Sequence, residues 1–149
     1  MKNDHIKQLI DAHKRVVKVL EQIPSDKKIN ENWTKREVIT HLAGWYKEAI
    51  DAIPKILKGE KPISFKMSVD KFNERSLENR KDKNLAEVTE EMIYLHKKLI
   101  EQIESLSENQ IIECYGTYLR KEPINVLWII NETIHHNNEH AEELEKLAF

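Results

Sequence analysis

The stretch TKREVITHLAGWYKEAIDAI (residues 34–53) decides the fold class, because it has the pattern of one amphipathic helix throughout. Thr34 and Glu37 have the spacing of a capping box, in which the hydroxyl accepts from the Glu37 amide and the carboxylate reaches back to the helix start. Pro54 is expected to end or kink this helix, because proline has no backbone donor and clashes with the preceding turn. The buried stripe of the helix is predicted to be Val38, Leu42, Trp45, Ala49 and Ile53.

The same periodicity predicts three more long helices. The first covers about residues 6–20 and is ended by Pro24. The third begins after Asn84. The fourth begins at Pro123, because proline suits a first helical turn, and it runs to about Leu147. We therefore expect an all-α fold, namely a four-helix bundle with a long crossover between helices 2 and 3.

Two connecting stretches lack this periodicity. Residues 59–68 are predicted to form an extended crossover, followed by a short helix from Ser68 to about Arg80. Residues 107–122 are interpreted as a connection without regular structure. At roughly 150 residues per domain, a chain of 149 residues has no room for a second domain, so we expect one domain over residues 1–149.

Composition excludes several function classes. The chain has 24 Lys and Arg against 26 Asp and Glu, a net charge of -2, and no interleaving of basic and aromatic residues that would indicate nucleic-acid binding. Its longest apolar run, residues 126–130, is far too short for a membrane span. The single cysteine, Cys114, cannot form an internal disulfide and favours a reducing compartment. We expect a cytoplasmic protein with neither nucleic-acid nor membrane partners.

Three of the seven histidines suggest a metal site. His136 and His140 are four residues apart, so they share one helix face and can reach a single ion. His41 lies on the buried side of helix 2, about 10 Å from the helix start at 1.5 Å per residue, and His140 lies a similar distance from the end of helix 4. If these helices are antiparallel, the three imidazoles meet at one depth. The alternative is that they are ordinary core or surface histidines.

Other side chains are secondary candidates. Trp45, His13 and His135 are possible pocket residues, although His13 also fits a hydrogen-bonded core histidine and His135 an exposed one. His96 is interpreted as peripheral, and Glu139 as a general base, a partner of a ligand or an exposed carboxylate. Phosphate-binding loops and serine-nucleophile motifs are absent from the sequence. No catalytic residue is assigned.

Two motifs resemble a known superfamily. The stretch WTKREVITHLAGW (residues 33–45) resembles the second-helix motif of the DinB/YfiT-like superfamily, and TIHHNNEH (residues 133–140) resembles its fourth-helix motif. The segment Phe72-Asn73-Glu74 is similar to the ClbS/DfsB-like branch. The likeness extends over nearly the whole chain, from about Ile6 to Leu147.

The resemblance implies a four-helix bundle that binds one divalent metal ion, zinc or nickel, through His41, His136 and His140. It also implies a homodimer. Activities in the superfamily include transfer of low-molecular-weight thiols and isomerisation, and the ClbS-like relatives protect against reactive metabolites. The sequence therefore suggests a metal-dependent enzyme, a hydrolase or thiol S-transferase, acting on a small reactive organic molecule. A metal-independent protein that binds and sequesters a small molecule is the alternative, and a purely structural dimer module is a third.

Overall fold

The computed structural model of the chain describes residues 1–147, and its elements are predominantly helical. Residues 148 and 149, which the predicted domain includes, lie outside the described residues. In chain order, the elements are α1 (Lys2–Glu21), α2 (Lys35–Leu57), a 3-10 turn (Ile63–Lys66), α3 (Val69–Asn79), α4 (Leu85–Glu104), α5 (Glu108–Ile112), β1 (Thr117–Leu119), β2 (Glu122–Ile124) and α6 (Val126–Glu145).

The four long helices α1, α2, α4 and α6 form the bundle. Helix α2 packs chiefly on α4 and α1 on α6, while contacts of α2 with α6 and of α1 with α4 complete the ring. The consecutive helices α1 and α2 therefore occupy opposite corners. The prediction of an all-α bundle with a crossover between its second and third long helices is confirmed.

Helix starts follow local side-chain chemistry. The backbone N–H of Thr34 donates to Glu37 Oε1 at 3.0 Å, and Asn84 caps α4 by accepting from the Glu87 N–H at 2.9 Å. Ser68 likewise accepts from the Lys71 N–H at the start of α3. Each cap satisfies a backbone donor that has no partner within its own helix. The predicted starts of these three helices are confirmed.

Pro54 was expected to end or kink helix 2, and the first of these two outcomes is wrong. Helix α2 passes through Pro54 to Leu57. Proline cannot donate to the carbonyl four residues earlier, which belongs to Ile50. The side-chain amide of Gln102 on α4 donates to that carbonyl at 3.0 Å. The hydrogen bond that proline removes is thus replaced by a tertiary one, and the helix continues until the chain turns at Gly59, where φ is +74°.

The interpretation of residues 107–122 as an irregular connection is also wrong. This stretch contains the short helix α5, and β1 pairs antiparallel with β2. The hairpin turns at Arg120 and Lys121, whose φ angles are +49° and +71°. Pro123 lies in β2 rather than in a helix, and α6 begins at Val126, after the Asn125 cap. Within residues 1–147, no helix is both long and apolar enough to cross a bilayer.

Candidate metal centre

The three histidines predicted as ligands meet at one point. His41 Nε2 lies 2.9 Å from His136 Nε2 and 3.0 Å from His140 Nε2, and the latter two nitrogens are 2.9 Å apart. Among residues 1–147, they are the one group of three or more His, Cys, Asp or Glu side chains whose ligand atoms converge in this way. A single point lies within the usual metal–nitrogen distance, about 2.0–2.1 Å, of all three nitrogens.

Antiparallel packing of α2 and α6 produces this convergence. His41 near the start of α2 meets His140 near the end of α6. Further along α2, the Tyr46 hydroxyl meets Asn137, which lies earlier on α6. Residues later in α2 thus contact residues earlier in α6, as antiparallel helices require. The depths of His41 and His140, calculated from the ends of their helices at 1.5 Å per residue, therefore coincide.

The environment keeps these imidazoles neutral. Burial, together with the smaller effects of the nearby His140, His41 and His135, lowers the pKa of His136 to about 3. Burial also lowers the pKa of His41 to about 4, an effect that His140 reinforces and the contact with Asn73 opposes. The pKa of His140 is lowered by burial, against the opposing influence of Glu143 and Glu139. Neutral imidazole is the form that binds metal ions.

The donor set fits a divalent transition metal. Three nitrogen lone pairs cannot all face one another at 3 Å, so either one neutral ring carries its hydrogen on Nε2 and donates it to a neighbour, or a cation lies among the three nitrogens. Imidazole suits zinc, nickel, copper and iron, and three protein ligands leave at least one coordination position for water or substrate.

Asn73 contacts the centre from the crossover helix α3. Its side-chain oxygen lies 3.1 Å from His41 Nδ1 and accepts from the Trp45 indole N–H at 2.8 Å. Asn73 is 32 positions from His41, so no ligand-type spacing marks it as part of the centre.

A small cavity adjoins the centre. Its volume is about 150 Å³, and its polar lining residues are Asn30, His140 and Glu143. Trp33 also packs against His41, with ring centroids 5.2 Å apart. The apolar walls of the cavity come from Ile29, Trp33, Val38, Leu144 and Leu147.

None of the three secondary candidates lines this cavity, although Trp45 lies beside the three histidines. Trp45 packs on Phe72, and its ring centroid is 6.1 Å from that of His136. His135 is exposed and pairs with Glu139 at 3.0 Å, and neither residue belongs to the group of converging ligand atoms. His13 is buried among the helices as a hydrogen-bonded histidine.

His13 belongs to a second buried cluster, which includes His96. Their rings stack at 3.7 Å with an interplanar angle of 7°, and the Tyr46 hydroxyl lies 2.7 Å from His13 Nδ1. His96 is therefore a core residue, and its interpretation as peripheral is wrong. The signal was present in the sequence, since His96 continues the helical spacing of Met92 and Leu99 on α4.

Comparisons with known proteins agree with this architecture. A crystal structure of an uncharacterised protein from Escherichia coli UTI89 superposes with a TM-score of 0.76 at 14% identity, covering 98% of this chain and 91% of that one. A crystal structure of a protein from Streptococcus pneumoniae superposes with a TM-score of 0.77 at 14% identity, covering 99% and 92%. At such identity the likeness concerns the fold.

Sequence comparison identifies the family. None of the curated proteins compared with this chain is significantly similar to it. The sequence profile of the DinB superfamily, however, matches residues 8–144, which is nearly the whole chain. Together with the bundle and the histidines carried on α2 and α6, this match shows that the chain belongs to the DinB superfamily.

Proposed function

We propose that this protein is a metal-dependent enzyme acting on a small organic molecule, with a divalent ion, zinc or nickel, held by His41, His136 and His140. The observation that carries the proposal is the convergence of their three Nε2 atoms to within 3.0 Å of one another. Metal binding by many members of the superfamily supports it.

The chain's own residues hold the ion and shape its surroundings. A divalent ion bound to three imidazoles supplies Lewis acidity, which makes water or a thiol a stronger nucleophile at neutral pH. The two reactions that we propose, hydrolysis and thiol transfer, share this requirement and differ in the nucleophile. The Trp33 ring lies beside that of His41, with an interplanar angle of 50°, and adds an apolar surface next to the proposed ion.

The cavity sets the size of the substrate. A volume of about 150 Å³ holds a compact group rather than a peptide or a nucleotide. Its walls are apolar, whereas Asn30, His140 and Glu143 offer polar contacts. These features favour a small molecule with a hydrocarbon portion and a reactive polar group directed towards the histidines.

The resemblance to the ClbS/DfsB-like branch extends this proposal. It supports a reactive electrophile as the substrate, a low-molecular-weight thiol as the possible co-substrate, and a homodimer as the assembly. Light scattering on the purified protein tests the last point, because a molar mass of one chain, 17.7 kDa, contradicts the dimer.

The function is tested with tag-free protein, either loaded with zinc or nickel or stripped by a chelator. Each form is assayed with small activated esters and amides for hydrolysis, and with a small electrophile plus cysteine for thiol transfer. We expect turnover in one panel that requires metal and is lost in His41→Ala. Equal rates with loaded, stripped and His41→Ala protein contradict the proposal.

A metal-independent binding protein is the second candidate, and the cavity favours it, since its apolar walls do not depend on an ion. Calorimetric titration of stripped protein with small aromatic compounds distinguishes the two. Binding that is equal in stripped wild type and in His41→Ala, without turnover in any form, supports sequestration. Trp33→Ala should weaken such binding.

A further inference from the structure

One oxygen atom determines the protonation pattern of His41. Asn73 Oδ1 lies 2.8 Å from Trp45 Nε1 and 3.1 Å from His41 Nδ1. An indole nitrogen can only donate, so the amide atom that faces it is the oxygen. Because that oxygen can only accept, His41 Nδ1 carries a hydrogen and donates it. In the neutral ring, His41 Nε2 is then unprotonated and has a free lone pair.

We propose that Asn73 is a positioning residue that holds His41 in its metal-binding tautomer. The lone pair fixed in this way is on the atom that faces the Nε2 atoms of His136 and His140. A hydrogen bond at the distal nitrogen of a metal-binding histidine orients the ring and makes it a better donor. This inference rests on the proposed metal centre, but the tautomer is a property of the metal-free protein.

Asn73 is held in place by packing that does not involve His41. One turn further along α3, Ser76 packs against Gly44 of α2 so closely that a Cβ on Gly44 would lie 2.4 Å from Ser76 Oγ. The buried Arg80 donates to Glu91 at 2.8 Å and to the Ser76 carbonyl at 3.3 Å. The helix that carries Asn73 is thus fixed to α2 and α4, which sets the position of the amide before any ion binds.

His140 has a different kind of partner. Its Nδ1 lies 3.7 Å from Glu143 Oε2, beyond hydrogen-bond distance, and the Glu143 side chain is 73% exposed. A solvent-exposed carboxylate does not restrict the ring as a half-buried amide does, because water competes with it and its own rotamers are free. We therefore expect the larger effect on metal binding from Asn73.

The experiment has two readouts on the full chain. Long-range ¹H–¹⁵N correlation spectra of the metal-free protein near pH 8 report which nitrogen of His41 is protonated. Competition with a chromophoric chelator gives the affinity for Zn²⁺ and Ni²⁺. We expect protonated Nδ1 in the wild type. In Asn73→Ala we expect a mixture of tautomers and a loss of affinity of about 10–100-fold.

Three further variants distinguish positioning from a general loss of structure. Asn73→Asp keeps an acceptor and should restore the Nδ1-protonated tautomer and most of the affinity. Trp45→Phe removes the second donor, frees the amide to flip and should have a smaller effect in the same direction. Asn79→Ala, at an exposed position on the same helix, is the matched control and should behave as the wild type.

The outcomes separate the two hypotheses. A wild-type His41 protonated on Nε2, or an Asn73→Ala protein with unchanged tautomer or unchanged affinity, overturns the positioning role. If the wild-type protein binds neither Zn²⁺ nor Ni²⁺, the proposed metal centre is overturned. Any role of Asn73 in metal binding is then overturned as well. In that case the tautomer spectra still show whether Asn73 orients the ring.

Discussion

Residues 1–147 contain two histidine clusters inside the bundle, and the clusters differ in what their nitrogen atoms face. In the first, formed by His41, His136 and His140, three Nε2 atoms converge within 3.0 Å. In the second, His13 and His96 stack face to face, His13 Nδ1 contacts the Tyr46 hydroxyl, and His96 has a hydrogen bond with the Leu9 backbone while its Nε2 has no partner. Burial lowers the pKa of histidines in both clusters.

The comparison shows that burial and a depressed pKa do not by themselves indicate a metal centre. His13 has a pKa lowered to about 3, as His136 has, yet its ring is used in core packing. Convergence of lone pairs distinguishes the first cluster. The second is a polar layer inside the bundle, to which α1, α2, α4 and α6 contribute one residue each: His13, Tyr46, His96 and Asn137.

The largest expected effect is on metal binding. His136→Ala removes one of three donors, and we expect the affinity for Zn²⁺ or Ni²⁺ to fall more than about 100-fold. Elemental analysis of tag-free protein after dialysis against metal measures it. His135→Ala, one residue away and 69% exposed, is the matched control and should retain the ion. Loss of metal from His13→Gln instead would break the distinction between the clusters.

The second effect is on folding. Tyr46→Phe removes a hydroxyl that accepts from the Asn137 amide at 2.8 Å and contacts His13. Because these partners are then left buried without a hydrogen bond, the free energy of unfolding should fall by about 1–3 kcal/mol. Urea denaturation measures this value, with Tyr94→Phe as the exposed control. Unchanged stability would mean that the polar layer contributes nothing to the bundle.

The third effect is a dependence of stability on pH. Burial lowers the pKa of His96 to about 4, whereas an unfolded histidine titrates near 6.5. The contribution of neutral His96 to the free energy of unfolding is complete above about pH 6.5. It is lost as the pH falls from there towards 4, because His96 then binds a proton in the unfolded chain but not in the folded one. The slope from one histidine is at most about 1.4 kcal/mol per pH unit.

His96→Asn keeps a donor for the Leu9 carbonyl and removes the titration, so the slope should decrease in this variant. Urea unfolding of chelated protein at several values between pH 7 and 5 measures it, with His135→Asn as the exposed comparison. A slope identical to that of the wild type would contradict the pKa shift of His96.

The smallest expected effect concerns the exposed partner of His140. Glu143→Gln removes a charge that lies 3.7 Å from His140 Nδ1 at a solvated site. We expect the metal affinity to change less than about threefold, since exposed charge pairs contribute little. The same chelator competition applies. A change as large as that expected for Asn73→Ala would show that charge, rather than ring orientation, controls the ligands.

Local signals in the sequence predicted much of the fold. Thr34 and Asn84 mark helix starts because a cap involves only residues three positions apart. The end of helix 2 could not be predicted from Pro54, because the replacement hydrogen bond comes from Gln102. That residue is 48 positions later, and no local pattern reveals the contact. The hairpin was missed because its turn uses Arg120 and Lys121 at positive φ, where Asn or Gly is the usual signal.

The candidate site was predictable to a similar degree. The spacing of His136 and His140 and the matching depth of His41 follow from helix geometry alone. Asn73 was not predictable, because its contact depends on how α3 docks against α2, where Ser76 meets Gly44. The cavity likewise depends on side chains from both ends of the chain, such as Ile29 and Leu144.

The distance along the chain between His41 and His136 has a consequence for biosynthesis. The two residues are 95 positions apart, so a nascent chain that has not reached α6 possesses one of the three converging nitrogens. Closing so long a loop is a late and entropically costly step in folding. Ion capture would therefore follow completion of the bundle, and occupancy of the centre would report that α2 and α6 have come together.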